Sequence, residues 1–126
     1  ALSAIPVHNL AHALGARYRI PHGLANAVLV TQVMENLPEF YKKRSRELAK
    51  AIELPLTDNP QAMLSASIEA IKGLRSRAGL PDTFKDFGIP RSELDDAVMA
   101  VMKDPSGILF PLPDDVIRSI VSAVIG

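Results

Sequence analysis

His8, His12 and His22 are the three histidines of the chain, and all fall inside the fifteen-residue stretch HNLAHALGARYRIPH. Imidazole nitrogens bind Fe²⁺ and Zn²⁺ and exchange protons near neutral pH. His8 and His12 stand four apart on a predicted helix, so they project from one face about one turn from each other. His22 follows the connecting turn, from where it can fold back towards the pair. Three convergent ligands with an open position suit metal-assisted chemistry. Asn9 excludes the zincin pattern, which needs a glutamate beside the first histidine. A histidine pair at this spacing also recurs by chance, so the spacing alone leaves metal binding, catalysis and coincidence all open. Gly15 and the corner Pro21-His22-Gly23 favour a site, because both allow a close approach of backbone to a ligand.

Helices must position these side chains. Prolines and glycines divide the chain into helix-length pieces, and no alternation of period two is sustained, which predicts an all-α bundle of about six helices. The first helix is expected to run to about Leu14, with Gly15 as a left-handed cap, and the second over Gly23 to Asn36. A third is expected over Glu39 to Ile52. Asn59-Pro60 reads as an N-cap followed by proline at the first helical position of a fourth, Pro60 to about Arg77, whose inward stripe is Met63, Ala66, Ala70, Leu74 and Ala78. A short helical turn fits Thr83 to Phe87. Ser92 and Asp95 form a capping-box-like start to a helix with Val98, Val101 and Met102 in the core. Pro113 opens a final helix with Val116, Ile117, Ile120, Val121 and Val124 facing inward.

The 126 residues are enough for about one domain with a real core. Fourteen basic and fourteen acidic side chains cancel, so a general basic surface for nucleic acid is not supported. The cationic run YKKRSRELAK (41–50) is interleaved with acids and reads as a solvated helix face. The absence of cysteine removes disulfides and thiolate metal sites and suits a reducing, cytoplasmic setting. The apolar run Ala27-Val28-Leu29-Val30 is far too short to span a membrane, and the N-terminus has no signal-peptide pattern. Arg17, Tyr18 and Arg19 read as solvent-exposed turn residues, the alternative being contact with a substrate or a cofactor phosphate. In PSGILFPLP (105–113), an irregular loop, Ile108, Leu109 and Phe110 are expected to cover the core, the alternative being contact with a further domain.

The stretch HNLAHALGARYRIPHGLANAVLVTQVM, residues 8 to 34, resembles the signature of the iron-containing (group III) alcohol dehydrogenases. In that family His-x-x-x-His, Leu-Gly and Pro-His-Gly-x-x-Asn-Ala stand at these spacings. The likeness continues more loosely through LRSRAGLPDTFKDFGIPRSELDDAVMAVMKD and the closing PLPDDVIRSIVSAV. The resemblance implies that residues 1–126 are the C-terminal helical metal-binding domain of a two-domain dehydrogenase. It also implies that His8 and His22 are metal ligands, and that His12 lies beside the metal and takes part in proton transfer.

The implied cofactors are Fe²⁺ or Zn²⁺, with NAD or NADP bound by an N-terminal nucleotide-binding α/β domain. That domain is expected to be missing, since no Gly-rich nucleotide loop occurs in the chain. Implied partners are therefore the missing domain, a small alcohol or carbonyl substrate, and other copies in a homo-oligomer, with no nucleic acid or membrane. Val30-Thr31-Gln32 replaces the Leu-Pro-His of many members, so any role of that extra histidine is lost. The chain alone is expected to bind metal weakly and to be inactive. The competing reading is a stand-alone helical metal-binding or interaction module with His8, His12 and His22 as a complete ligand set. A nearer variant is a family relative acting on a polyol or another carbonyl.

Overall fold

The computed structural model describes residues 5–107 and 111–125. Seven α-helices and three short 3₁₀ turns occur among them, and no strand. The helices are α1 (Ile5–Tyr18), α2 (His22–Asn36), α3 (Pro38–Lys42), α4 (Ser45–Ala51), α5 (Pro60–Arg77), α6 (Leu94–Lys103) and α7 (Asp114–Val124). The centre of the bundle is α1 and α2 packed on each other; α6 and the 105–107 turn cover α1, while α5 and α7 cover α2. The core is aliphatic, built from residues such as Leu10, Leu14, Val28, Leu29, Ile117 and Ile120, and among the described residues Phe84 is the one fully buried phenyl ring. No described helix is long and apolar enough to cross a membrane.

The all-α expectation holds, with one more helix than anticipated. The expected third helix is two, α3 and α4, broken at Lys43-Arg44. Local bonds explain the break. Arg44 leaves the helical region, donates to the Phe40 carbonyl at 3.0 Å and lies over the Phe40 ring at 3.9 Å. Ser45 Oγ meanwhile donates to the Lys42 carbonyl at 2.7 Å. These side-chain contacts compete with the helical ladder at that point.

Gly15 does not end α1. The helix continues to Tyr18, and Arg19 takes the left-handed conformation at φ 57°. The Ile20 N–H then bonds the Gly15 carbonyl at 3.0 Å, the six-to-one bond of a Schellman cap, with Ile20 buried as its hydrophobic member. Glycine suits 15 for another reason: a Cβ there would lie a tight 3.1 Å from the Ile20 carbonyl oxygen. The tight return of the chain, rather than a glycine cap, brings α2 back beside α1.

The start of α5 is as expected, with the Asn59 side chain accepting from the Ala62 N–H at 3.2 Å. Its inward face is different. Met63, Leu64, Ser67 and Ile68 are buried, while Ala66 and Leu74 point outward. The larger Leu64 and Ile68 take the core side and the small alanines are left outside, which buries more apolar area. Arg75 extends this inward row by donating to the Ala27 carbonyl and Thr31 Oγ of α2, at 3.0 and 3.1 Å.

No capping box forms at α6, which is entered through the 3₁₀ turn Arg91–Glu93. Arg91 instead binds the end of α7, donating to the carbonyls of Ser122 and Ile125 at 2.6 and 2.9 Å. Cations are favoured at such a C-terminus. Met102, expected in the core, is half exposed, whereas Ala97, Val98 and Val101 are buried. On α7, Ile117, Ile120, Val121 and Val124 are buried as expected, and Val116 partly so. Within the expected loop 105–113, residues Pro105–Gly107 form a 3₁₀ turn, and Ile108, Leu109 and Phe110 lie outside the described residues.

Candidate metal centre

The tight turn after α1 places the first residue of α2 against the first half of α1. The His8 and His22 rings stand edge to face with centroids 5.7 Å apart. Two imidazoles on one tetrahedral ion, each bonded at about 2.0–2.1 Å, have ring centres about 5 Å apart. Both rings are exposed, so each is open to an ion with little rearrangement. The two residues thus fit a shared divalent metal, and neutral imidazole is a suitable donor for Fe²⁺ or Zn²⁺.

His12 lies on the other side of His8, with ring centroids 6.2 Å apart and planes inclined by 31°. The three histidines therefore gather where the start of α2 meets the first half of α1, with His8 in ring contact with both others. Among the described residues, no three histidine, aspartate or glutamate side chains form a group able to hold a metal. The complete three-histidine site of the competing reading is thus not assembled in this arrangement.

A residue not singled out in the sequence joins the cluster. Asp104 Oδ2 lies 2.5 Å from His12 Nδ1, although 92 positions separate them. Its side chain is 7% exposed, against 55% for His12. Asp104 sits at the end of α6 with extended backbone, a conformation enforced by Pro105. The following 3₁₀ turn then lies directly on α1: a Cβ on Gly107 would come within 2.7 Å of Asn9 Nδ2. No local signal marks Asp104, because its partner is distant in the chain and its position depends on how α6 crosses α1.

A cleft of about 560 Å³ opens beside the histidines, with His8, Gly23 and Asn26 in its wall. The rest is apolar, including Val30, Met34, Leu48 and Ile71. Tyr41 also lines it, and burial pushes its hydroxyl up to about 12. The residues Arg17, Tyr18 and Arg19, expected to be exposed, divide. Arg19 is exposed at the turn, but Tyr18 is partly buried and donates to Glu93 Oε1 at 3.0 Å, beside an Arg17–Glu93 contact of 3.1 Å. Burial raises the Tyr18 pKa, and the hydrogen bond from Tyr18, followed by that from Arg17, lowers that of Glu93. This network ties the end of α1 to the entry of α6.

Residues 1–124 match the family described as "Fe-containing alcohol dehydrogenase family, C-terminal". The chain belongs to that family. Among its relatives, lactaldehyde reductase of Escherichia coli (strain K12) is 30% identical over 99 residues, covering 78% of this chain and 26% of that protein. The 1,3-propanediol dehydrogenase of Citrobacter freundii is 35% identical over 113 residues, covering 85% of this chain and 27% of that protein. An alcohol dehydrogenase from Oenococcus oeni superimposes with a TM-score of 0.79 at 28% identity, over 94% of this chain and 32% of that one. The chain thus corresponds to the C-terminal, helical part of the iron-type dehydrogenases. It spans about a quarter of the length of these curated relatives and about a third of the solved chain.

Proposed function

We propose that this iron-type domain supplies the helical wall and two of the metal ligands of an NAD(P)-dependent alcohol dehydrogenase. The observation that carries the reading is the close His8–His22 pair with His12 one helical turn away. In this reading His8 and His22 hold Fe²⁺ or Zn²⁺, and the remaining ligands and the nucleotide site come from an N-terminal α/β domain. The relatives' names point to small alcohols, diols and aldehydes as the substrate class. When bound, the metal supplies polarisation of the substrate oxygen and the nicotinamide supplies the hydride acceptor.

The chain's own residues do the rest. His12, half exposed beside the ligand pair, exchanges the proton of the alcohol with solvent. The apolar cleft next to His8 shields one side of the site from water, and a nucleotide-binding domain over it would close the other. The cysteine-free composition suits a reducing cytoplasm, and other copies of the assembled enzyme are its expected partners.

Anaerobic calorimetric titration of Fe²⁺ and Zn²⁺ into this chain tests the reading, together with His12→Ala and His22→Ala variants. Weak binding that disappears with His22 and survives the loss of His12 is expected. Tight one-to-one binding that requires both histidines would make the chain a complete three-histidine metal protein and overturn the proposal.

A further inference from the structure

The contact between His12 and Asp104 has a direction. A carboxylate only accepts, so at 2.5 Å the shared hydrogen belongs to Nδ1 of His12 and points at Asp104 Oδ2. Nε2 of the neutral ring then carries the lone pair. We propose that Asp104 is a positioning residue that holds His12 in the Nδ1–H tautomer and presents Nε2 as the proton-accepting atom beside the His8–His22 pair. This rests on the proposed role of His12 in proton transfer and adds the group that prepares it.

Three further features of the fold support the assignment. The Asp104 side chain is 7% exposed, and burying a carboxylate is unfavourable without a donor to receive. Asp104 also stands at the C-terminus of α6, where the helix dipole disfavours negative charge and a cation would be the stabilising choice. The α6 dipole therefore gives no reason for an aspartate here; the turn that Asp104 opens, closed by the Gly107 N–H on the Asp104 carbonyl at 3.1 Å, and the His12 imidazole both do. Finally, the scaffold brings the pair together from both sides. Pro105 sets the extended backbone of Asp104, and Gly107 lets the succeeding turn lie on α1 at Asn9, three residues before His12. Nδ1 is thus engaged on the protein side while more than half of the His12 side chain stays accessible. An aspartate orienting a histidine in this manner fixes both the tautomer and the plane of the ring in other proton-transfer sites.

Two-bond ¹H–¹⁵N correlation spectra of the imidazoles, recorded on the metal-free ¹⁵N-labelled chain at a pH where the rings are neutral, test this directly. His12→Gln assigns the His12 resonances. The wild type is expected to show a pyrrole-type Nδ1 and a pyridine-type Nε2 at His12. In Asp104→Ala the two nitrogens are expected to exchange character, towards the Nε2–H form that an unconstrained side chain prefers. Asp104→Leu, which keeps most of the volume and removes every acceptor, is expected to do the same.

A wild-type His12 in the Nε2–H form overturns the proposal, as does an unchanged tautomer in either folded variant. Should both variants fail to fold, the wild-type tautomer still decides. The outcome is separable from the functional reading. Metal binding through His8 and His22 does not involve Asp104, and a failed metal titration leaves the tautomer result standing.

Discussion

At the scale of single residues, burial and partners separate groups of the same chemical type. The chain has two tyrosines, and their surroundings differ. Tyr18 lies at the end of α1 with Arg17 and Glu93 as partners, while Tyr41 is 2% exposed in the wall of the apolar cleft. Burial pushes the Tyr41 pKa from its ordinary value of about 10 to about 12. A folded-state value above the unfolded one means that the neutral phenol favours the native state. That stabilisation is complete below about pH 10 and is lost as the pH rises towards about 12. In a tyrosinate absorbance titration of the native protein, the last phase is expected to vanish in Tyr41→Phe. A wild-type titration already complete by about pH 12, as expected for tyrosines of ordinary pKa, would contradict this burial. Among the histidines, environment again divides the roles. His8 and His22 face each other, whereas His12 is held by a buried carboxylate.

At the scale of elements, helix ends decide where the site forms. Three helices end on a left-handed residue followed by a six-to-one hydrogen bond: α1 at Arg19, α4 at Glu53 and α5 at Gly79. Only the last uses glycine; the cap expected at Gly15 falls instead on Arg19. The Arg19 cap turns the chain so that His22 reaches His8, and its strain is offset by burial of Ile20. A left-handed residue with a Cβ costs roughly 1–2 kcal/mol. Glu53 is exposed and far from the histidines in sequence, so Glu53→Gly is expected to raise stability by about 1 kcal/mol, read as a higher urea midpoint at unchanged slope. A lower midpoint would show that Glu53 makes compensating contacts in the folded state.

At the scale of the whole molecule, the segment between α5 and α6 closes the bundle. Phe84 is fully buried there, and its N–H bonds the Val124 carbonyl at the end of α7 at 2.8 Å. Arg91 grips the same helix end seven residues later. Both contacts join parts of the chain more than thirty residues apart and hold α7 against α2 and α6. Phe84→Ala is expected to cost about 3–5 kcal/mol, a large fraction of the 5–15 kcal/mol typical of a domain. Urea unfolding measures it, and a loss below about 1 kcal/mol would mean that the core collapses readily into the vacated space.

Much of the fold was legible because the signals are local. The asparagine cap with proline at α5, the apolar spacing of α7 and the bounds of α2 follow from residues three or four apart. The histidine cluster was legible for the same reason, since His8, His12 and His22 lie on two adjacent helices joined by a short turn. Family resemblance, not spacing, separated His8 and His22 from His12. Tertiary structure decided what depends on distant partners: the break between α3 and α4, the inward face of α5, and Arg91 at the end of α7 instead of a capping box at α6. It also decided the carboxylate beside His12. The Asp104–His12 contact exists only because α6 ends on α1, and no periodicity within 126 residues encodes a hydrogen bond across 92 of them.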